Sequence, residues 1–98
     1  MKLTVSIIEG YDKGKKQLFT EFPISIGRLS DSDFQISDPF VSRRHCTVYI
    51  DDTFLWVSDL NSTNKTYLND QLLNSPKTIL DGDKLFIGIN ILKLNLNM

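Results

Sequence analysis

The chain is poor in residues that crosslink or ligate. One cysteine, Cys46, and one histidine, His45, stand among 98 residues. A single cysteine cannot close an internal disulfide, and one Cys with one His cannot supply a four-ligand zinc site. Nor is either sign of charge in excess: 11 Lys and Arg face 12 Asp and Glu, a formal net charge of −1. That balance argues against a nucleic-acid binder or a polybasic membrane-surface domain, while leaving room for a local basic pocket. Long apolar runs are missing as well. No stretch approaches the roughly 18 apolar residues of a membrane span. Met1-Lys2-Leu3 leads into alternating residues, not the apolar block of a secretory signal. These absences predict a soluble, intracellular, cytoplasmic chain that needs no metal or cofactor and forms one domain over residues 1–98.

Helical patterning is also lacking: no window of helical length repeats apolar residues at i, i+3, i+4 and i+7. What is present is a period of two. Leu3, Val5 and Ile7 alternate with Lys2, Thr4 and Ser6, and Gly10 to Gly14 forms a turn. Gln17 to Phe22 reads as the returning strand, and Ile24 to Gly27 as a third. Short alternations recur at Phe34–Ile36, Cys46–Ile50, Phe54–Ser58, Tyr67–Leu68, Leu72–Leu73, Leu85–Ile87 and Ile91–Leu96. Many short strands separated by Gly, Asn and Asp turns predict an all-β sandwich or barrel. Trp56 and Phe54 share one strand face, and inter-sheet packing is the default expectation for them.

Three polar segments follow strands: Gly27-Arg28-Leu29-Ser30, Ser42-Arg43-Arg44-His45, and Asn61 to Thr66. Loops of a sandwich cluster at its two ends, so these three could meet. Together they offer guanidinium, hydroxyl, amide and backbone donors, a set suited to an oxyanion such as a phosphate dianion. Ser42, His45 and Asp59 also raise a hydrolase reading, but there is no nucleophile elbow and only one histidine, so no catalysis is expected. Asp31, Asp33, Asp81 and Asp83 lack calcium-loop spacing and read as turn or surface acids.

The order Gly27-Arg28, Ser42-x-x-His45, Asn61-Ser62-Thr63-Asn64-x-Thr66 resembles the signature of the forkhead-associated (FHA) family. The stretch from Leu80 to Gly88 resembles that family's C-terminal hairpin, so the likeness spans nearly the whole chain. The resemblance implies an eleven-strand β-sandwich, two packed sheets, whose loops at one end bind phosphothreonine peptides made by an upstream Ser/Thr kinase. By motif, Arg28, Ser42 and Arg43 would contact the phosphate with help from Thr63, and Asn64 would hold the peptide main chain. Gly27 and His45 would support the loops. Phe40 lies where family members select side chains C-terminal to the phosphothreonine. Lys65 and Asp70 stand where the family pattern has glycine. At Lys65 either the loop is reshaped or a positive charge is added beside the peptide. The alternative function is a phosphate-independent scaffold or self-association domain of the same fold.

Overall fold

A computed structural model describes residues 1–97. The strands are β1 (Lys2–Glu9), β2 (Lys16–Phe19), β3 (Ile24–Gly27), β4 (Phe34–Gln35), β5 (Cys46–Asp51), β6 (Phe54–Asp59), β7 (Tyr67–Leu68), β8 (Gln71–Leu72), β9 (Lys77–Thr78), β10 (Lys84–Ile87) and β11 (Asn90–Asn97). They form a six-stranded sheet, β2-β1-β11-β10-β7-β8, packed on a five-stranded sheet, β4-β3-β5-β6-β9. All pairings are antiparallel except β3 with β4. The all-β, eleven-strand, two-sheet expectation holds.

Period-two alternation builds the core directly, because successive side chains on a strand point to opposite faces. Leu3, Val5 and Ile7 of β1 and Leu92 and Leu94 of β11 point inward, as do Val48, Leu55 and Val57 from the opposite sheet. Phe19 and Phe34 meet edge to face between the layers, with ring centroids 6.2 Å apart. β1 and β11 pair along nearly their full length, so the two ends of the chain form the middle of one sheet.

Three features depart from the sequence reading. The strand read as Gln17 to Phe22 ends at Phe19, and Thr20 and Glu21 are exposed beyond it. β9 was not foreseen: Lys77 and Thr78 carry no apolar signal and become a strand only by pairing with Val57 and Trp56. Phe54 and Trp56 lie on the outer face, not between the sheets, because Leu55 and Val57 take the inner one. The Trp56 indole N–H instead donates to the Asp51 carbonyl at 3.1 Å.

The strands deliver the polar loops to one end. β3 ends at Gly27, β5 begins just after His45, and β6 ends at Asp59, so the segments between them converge. The β1–β2 loop and the β10–β11 turn reach the same end through Tyr11 and Ile89.

Candidate functional site

Gly27 lets two backbones touch. A Cβ there would lie 2.1 Å from the Arg43 carbonyl oxygen, a distance no side chain can occupy. In its absence the Arg28 N–H donates to the Ser42 carbonyl at 3.1 Å and the Ile36 N–H to the Gly27 carbonyl at 2.9 Å. The Arg28 Nε–H donates to the Val41 carbonyl at 3.0 Å. This bond fixes the guanidinium beside a shallow hollow of about 180 Å³, also lined by Ser42, Thr63 and Asn64. No described residue hydrogen-bonds the two terminal guanidinium nitrogens, which leaves Arg28 able to grip an anion with a planar fork.

His45 ties the second polar loop to the third. The Ser42 N–H donates to His45 Nδ1 at 3.1 Å, so that nitrogen is the acceptor and the ring proton sits on Nε2. From there it is donated to the Lys65 carbonyl at 2.9 Å. The ring is fully buried. Burial pushes its pKa below the ordinary 6.5; the Lys65 carbonyl and the Asp59 charge pull the other way and are outweighed. Both ring nitrogens are committed to backbone groups, so His45 is not poised as a base toward the Ser42 hydroxyl. Ser42 Oγ instead accepts the Thr63 N–H at 2.9 Å, which leaves its own hydrogen free to donate.

Asp59 braces the third loop. Its carboxylate accepts the Ser62 N–H at 2.9 Å, the Ser62 hydroxyl at 2.5 Å and the Thr66 hydroxyl at 2.6 Å. Burial raises its pKa, but these hydrogen bonds and the neighbouring His45 outweigh burial and hold the carboxyl below its ordinary value. Sequence reasoning met Asp59 only as a catalytic acid to be set aside. A polar residue three positions on that can donate from both N–H and hydroxyl was the available signal for its real place.

Arg28, Ser42, Thr63, Asn64 and Phe40 thus line one hollow, with Gly27 and His45 beneath it. Arg43 belongs to the same loop and is exposed, outside the hollow's lining. Arg44 is paired with Asp31 at 3.0 Å. Lys65 faces away: it lines a separate hollow of about 400 Å³ with Asp59, Asn61 and Leu72. Its backbone has φ of 65°, the left-handed region that favours glycine.

Beside this smaller hollow lies a second, mostly apolar one of about 490 Å³, walled by Tyr11, Phe40, Asn64 and Ile89. Asn64 and Phe40 border both, and the Asn64 amide donates to the Phe40 carbonyl at 2.5 Å. Tyr11 and Ile89 carried no sequence signal, because their meeting depends on loops far apart in the chain.

The family model for the FHA domain matches residues 24–88, well over half of the chain. The chain belongs to the FHA domain family. FhaB of Mycobacterium tuberculosis, an FHA domain-containing protein, is 31% identical over 88 residues, covering 90% of this chain and 57% of that protein. The glycogen accumulation regulator GarA of the same organism is 34% identical over 79 residues, covering 81% of this chain and 48% of GarA. This FHA domain therefore spans about half the length of these curated relatives. A solved structure from work on phosphothreonine-dependent FHA domain interactions superposes with a TM-score of 0.87 at 28% identity, over 100% of this chain and 99% of that one. The FhaA FHA domain, solved in complex with the intracellular domain of Rv3910, superposes with a TM-score of 0.83 at 29% identity, over 95% and 99% of the two chains.

Proposed function

We propose that this FHA domain, taken as residues 1–98, binds phosphothreonine-containing segments of partner proteins and so joins them to its own chain after a threonine kinase has acted. It binds rather than catalyses, and it works in the cytoplasm, where such kinases find their substrates. The observation that carries this reading is the donor geometry around the smaller hollow. Arg28 is anchored through Nε with its fork unspent, and Ser42 Oγ accepts the Thr63 N–H while its own hydrogen remains free to donate.

A phosphothreonine presents about −1.5 to −2 charges and three acceptor oxygens. Arg28 and Ser42 hold the phosphate, Arg43 adds an exposed positive charge from the same loop, and Thr63 closes the wall. Asn64 holds the peptide main chain beside it. Phe40, with Tyr11 and Ile89, offers an apolar hollow to a flanking side chain. A phosphate-independent scaffold could use the Arg28 Nε and Ser42 Oγ bonds, but it would have no need of the guanidinium fork and hydroxyl hydrogen left without partners.

Charge-assisted contacts on an exposed hollow make binding weaken as salt rises, and it weakens again below about pH 6, where the phosphate loses its second charge. The deciding experiment uses degenerate phosphothreonine, phosphoserine and unphosphorylated peptide libraries. Selective retention of the phosphothreonine library, lost with Arg28→Ala, is expected. Each lost charge-assisted bond costs about 1.5–3 kcal/mol, so the loss should exceed tenfold. A folded wild-type chain that retains no library would favour the scaffold.

A further inference from the structure

Asp38 and Asn90 lie 52 positions apart in the chain and meet in the interior, 1% and 0% exposed. The Asn90 amide nitrogen donates to Asp38 Oδ2 at 2.9 Å and to the Ile87 carbonyl at 3.0 Å. Its carbonyl oxygen accepts the Tyr11 N–H at 3.1 Å. The other Asp38 oxygen accepts the Phe40 N–H at 2.9 Å, and the Asp38 carbonyl accepts the Val41 N–H at 3.0 Å. Gly10 makes room for this cluster, since a Cβ there would lie 2.3 Å from Asn90 Oδ1.

The consequence is topological. Two buried side chains tie the β1–β2 loop, the β4–β5 loop and the β10–β11 turn together at one point. Those three segments carry Tyr11, Phe40 and Ile89, which are 57%, 72% and 64% exposed. No core packing holds such side chains in place, so the polar cluster beneath is what sets their spacing. A buried carboxylate with neutral partners costs free energy unless its bonds are well made, and an apolar pair could fill the same space. Here the bonds are made to groups whose positions shape the hollow.

We propose that the Asp38–Asn90 pair is a positioning device that sets the apolar hollow at a fixed distance from the phosphate hollow, through Phe40, which borders both. The inference rests on the phosphothreonine reading of the site. It makes recognition of a flanking apolar side chain depend on two residues that need not touch the peptide.

The test compares two probes on the whole chain: blocked phosphothreonine alone, titrated by NMR, and phosphothreonine peptides in which leucine is scanned through the flanking positions. Asn90→Leu keeps side-chain size and removes all three bonds. It should weaken the best leucine-scanned peptide about tenfold and flatten the positional preference, with blocked phosphothreonine bound within about twofold of wild type. Asp38→Asn, which keeps the bond to Phe40 and is the gentler change, should move both readouts in the same direction by a smaller factor. Equal losses on both probes, or an intact leucine preference in both variants, would overturn the positioning role. Wild type that binds neither probe would overturn the phosphothreonine reading itself, before any variant is made.

Discussion

The two flanks of the site share Phe40 and Asn64 but present opposite chemistry. On the phosphate flank, the loops after β3, β5's leading edge and the loop after β6 are held by backbone contacts, by one buried histidine and by the Asp59 carboxylate. The groups left over, the Arg28 fork and the Ser42 hydroxyl, are polar and face outward. On the apolar flank, the supporting cluster is polar and buried, and the groups left over are Tyr11, Phe40 and Ile89. One flank spends backbone contacts, a histidine ring and the Asp59 carboxylate to present charge; the other spends a carboxylate and an amide to present hydrocarbon. On the proposed reading, a phosphorylated side chain and its neighbour meet surfaces whose supports are separate, so that each should be breakable without the other.

The largest effect is expected from the two glycines, one under each flank. Gly27→Ala places a methyl against the Arg43 backbone carbonyl, where no side-chain rotation relieves it. Overpacking of this kind costs about 1–3 kcal/mol or more, and the separation it forces moves Arg28 away from Ser42. Urea unfolding should show the loss of stability, and phosphothreonine binding should disappear. Gly10→Ala instead strikes the Asn90 amide. It should erase the flanking leucine preference and leave blocked phosphothreonine bound. If both variants lose both activities together, the flanks are one unit.

Next in size is the pH response of the phosphate flank. Because burial depresses the His45 pKa, the unfolded chain takes up that proton first as pH falls. Stability owed to the neutral ring is therefore complete above the ordinary value of 6.5 and is lost as pH drops through the lower folded value. Protonated Nδ1 would become a donor facing the Ser42 N–H donor. Asp59 acts in a lower window: its depressed pKa gives stability that is complete above 3.8 and is lost as pH falls further. The urea midpoint should begin to decline as pH falls below the ordinary 6.5, and His45→Gln should flatten that part of the profile. A midpoint constant over that range would show that the ring does not hold the loops.

The flanks also differ in how far they could be read in advance. The phosphate flank was legible because its donors come as short runs next to strand ends: Gly27-Arg28, Ser42 to His45, Asn61 to Thr66. What could not be read there was direction. Arg43 and Lys65 fit the same runs, yet neither lines the hollow, because side-chain direction follows loop dihedrals that composition does not encode. The apolar flank was legible only at Phe40. Its other residues are isolated in sequence and acquire meaning from a hydrogen bond between positions 38 and 90. The fold shows the same divide. Period two gave β1, β5 and β11, but β6 alternates apolar residues on both faces, so periodicity alone could not say whether Trp56 or Val57 faces the core.

Phe40→Arg tests whether the apolar flank reads the peptide at all. The backbone carbonyl that accepts the Asn64 amide is retained, so the phosphate flank should hold blocked phosphothreonine within about twofold of wild type. Leucine-scanned peptides should lose their preference, and acidic flanking residues should gain. Library preferences that do not change would remove Phe40 and its hollow from recognition.

The smallest effect is expected at Lys65, the departure from the family's glycine, which lies outside both flanks. Its φ of 65° places a lysine in the left-handed region, which costs a non-glycine residue about 1–2 kcal/mol. Glycine relieves that strain but has more freedom to lose on folding, about 0.5–1 kcal/mol. Lys65→Gly should therefore stabilise the chain by roughly 0.5–1 kcal/mol net, a rise of a few degrees in Tm. The Lys65 carbonyl that receives the His45 proton is kept, and the lysine side chain lines the hollow beside Asp59 and not the one beside Arg28. Phosphothreonine affinity should consequently stay the same while stability rises. If affinity falls instead, in proportion to added salt, Lys65 reaches the bound peptide as a charge contact, and the phosphate flank is wider than its resting geometry indicates.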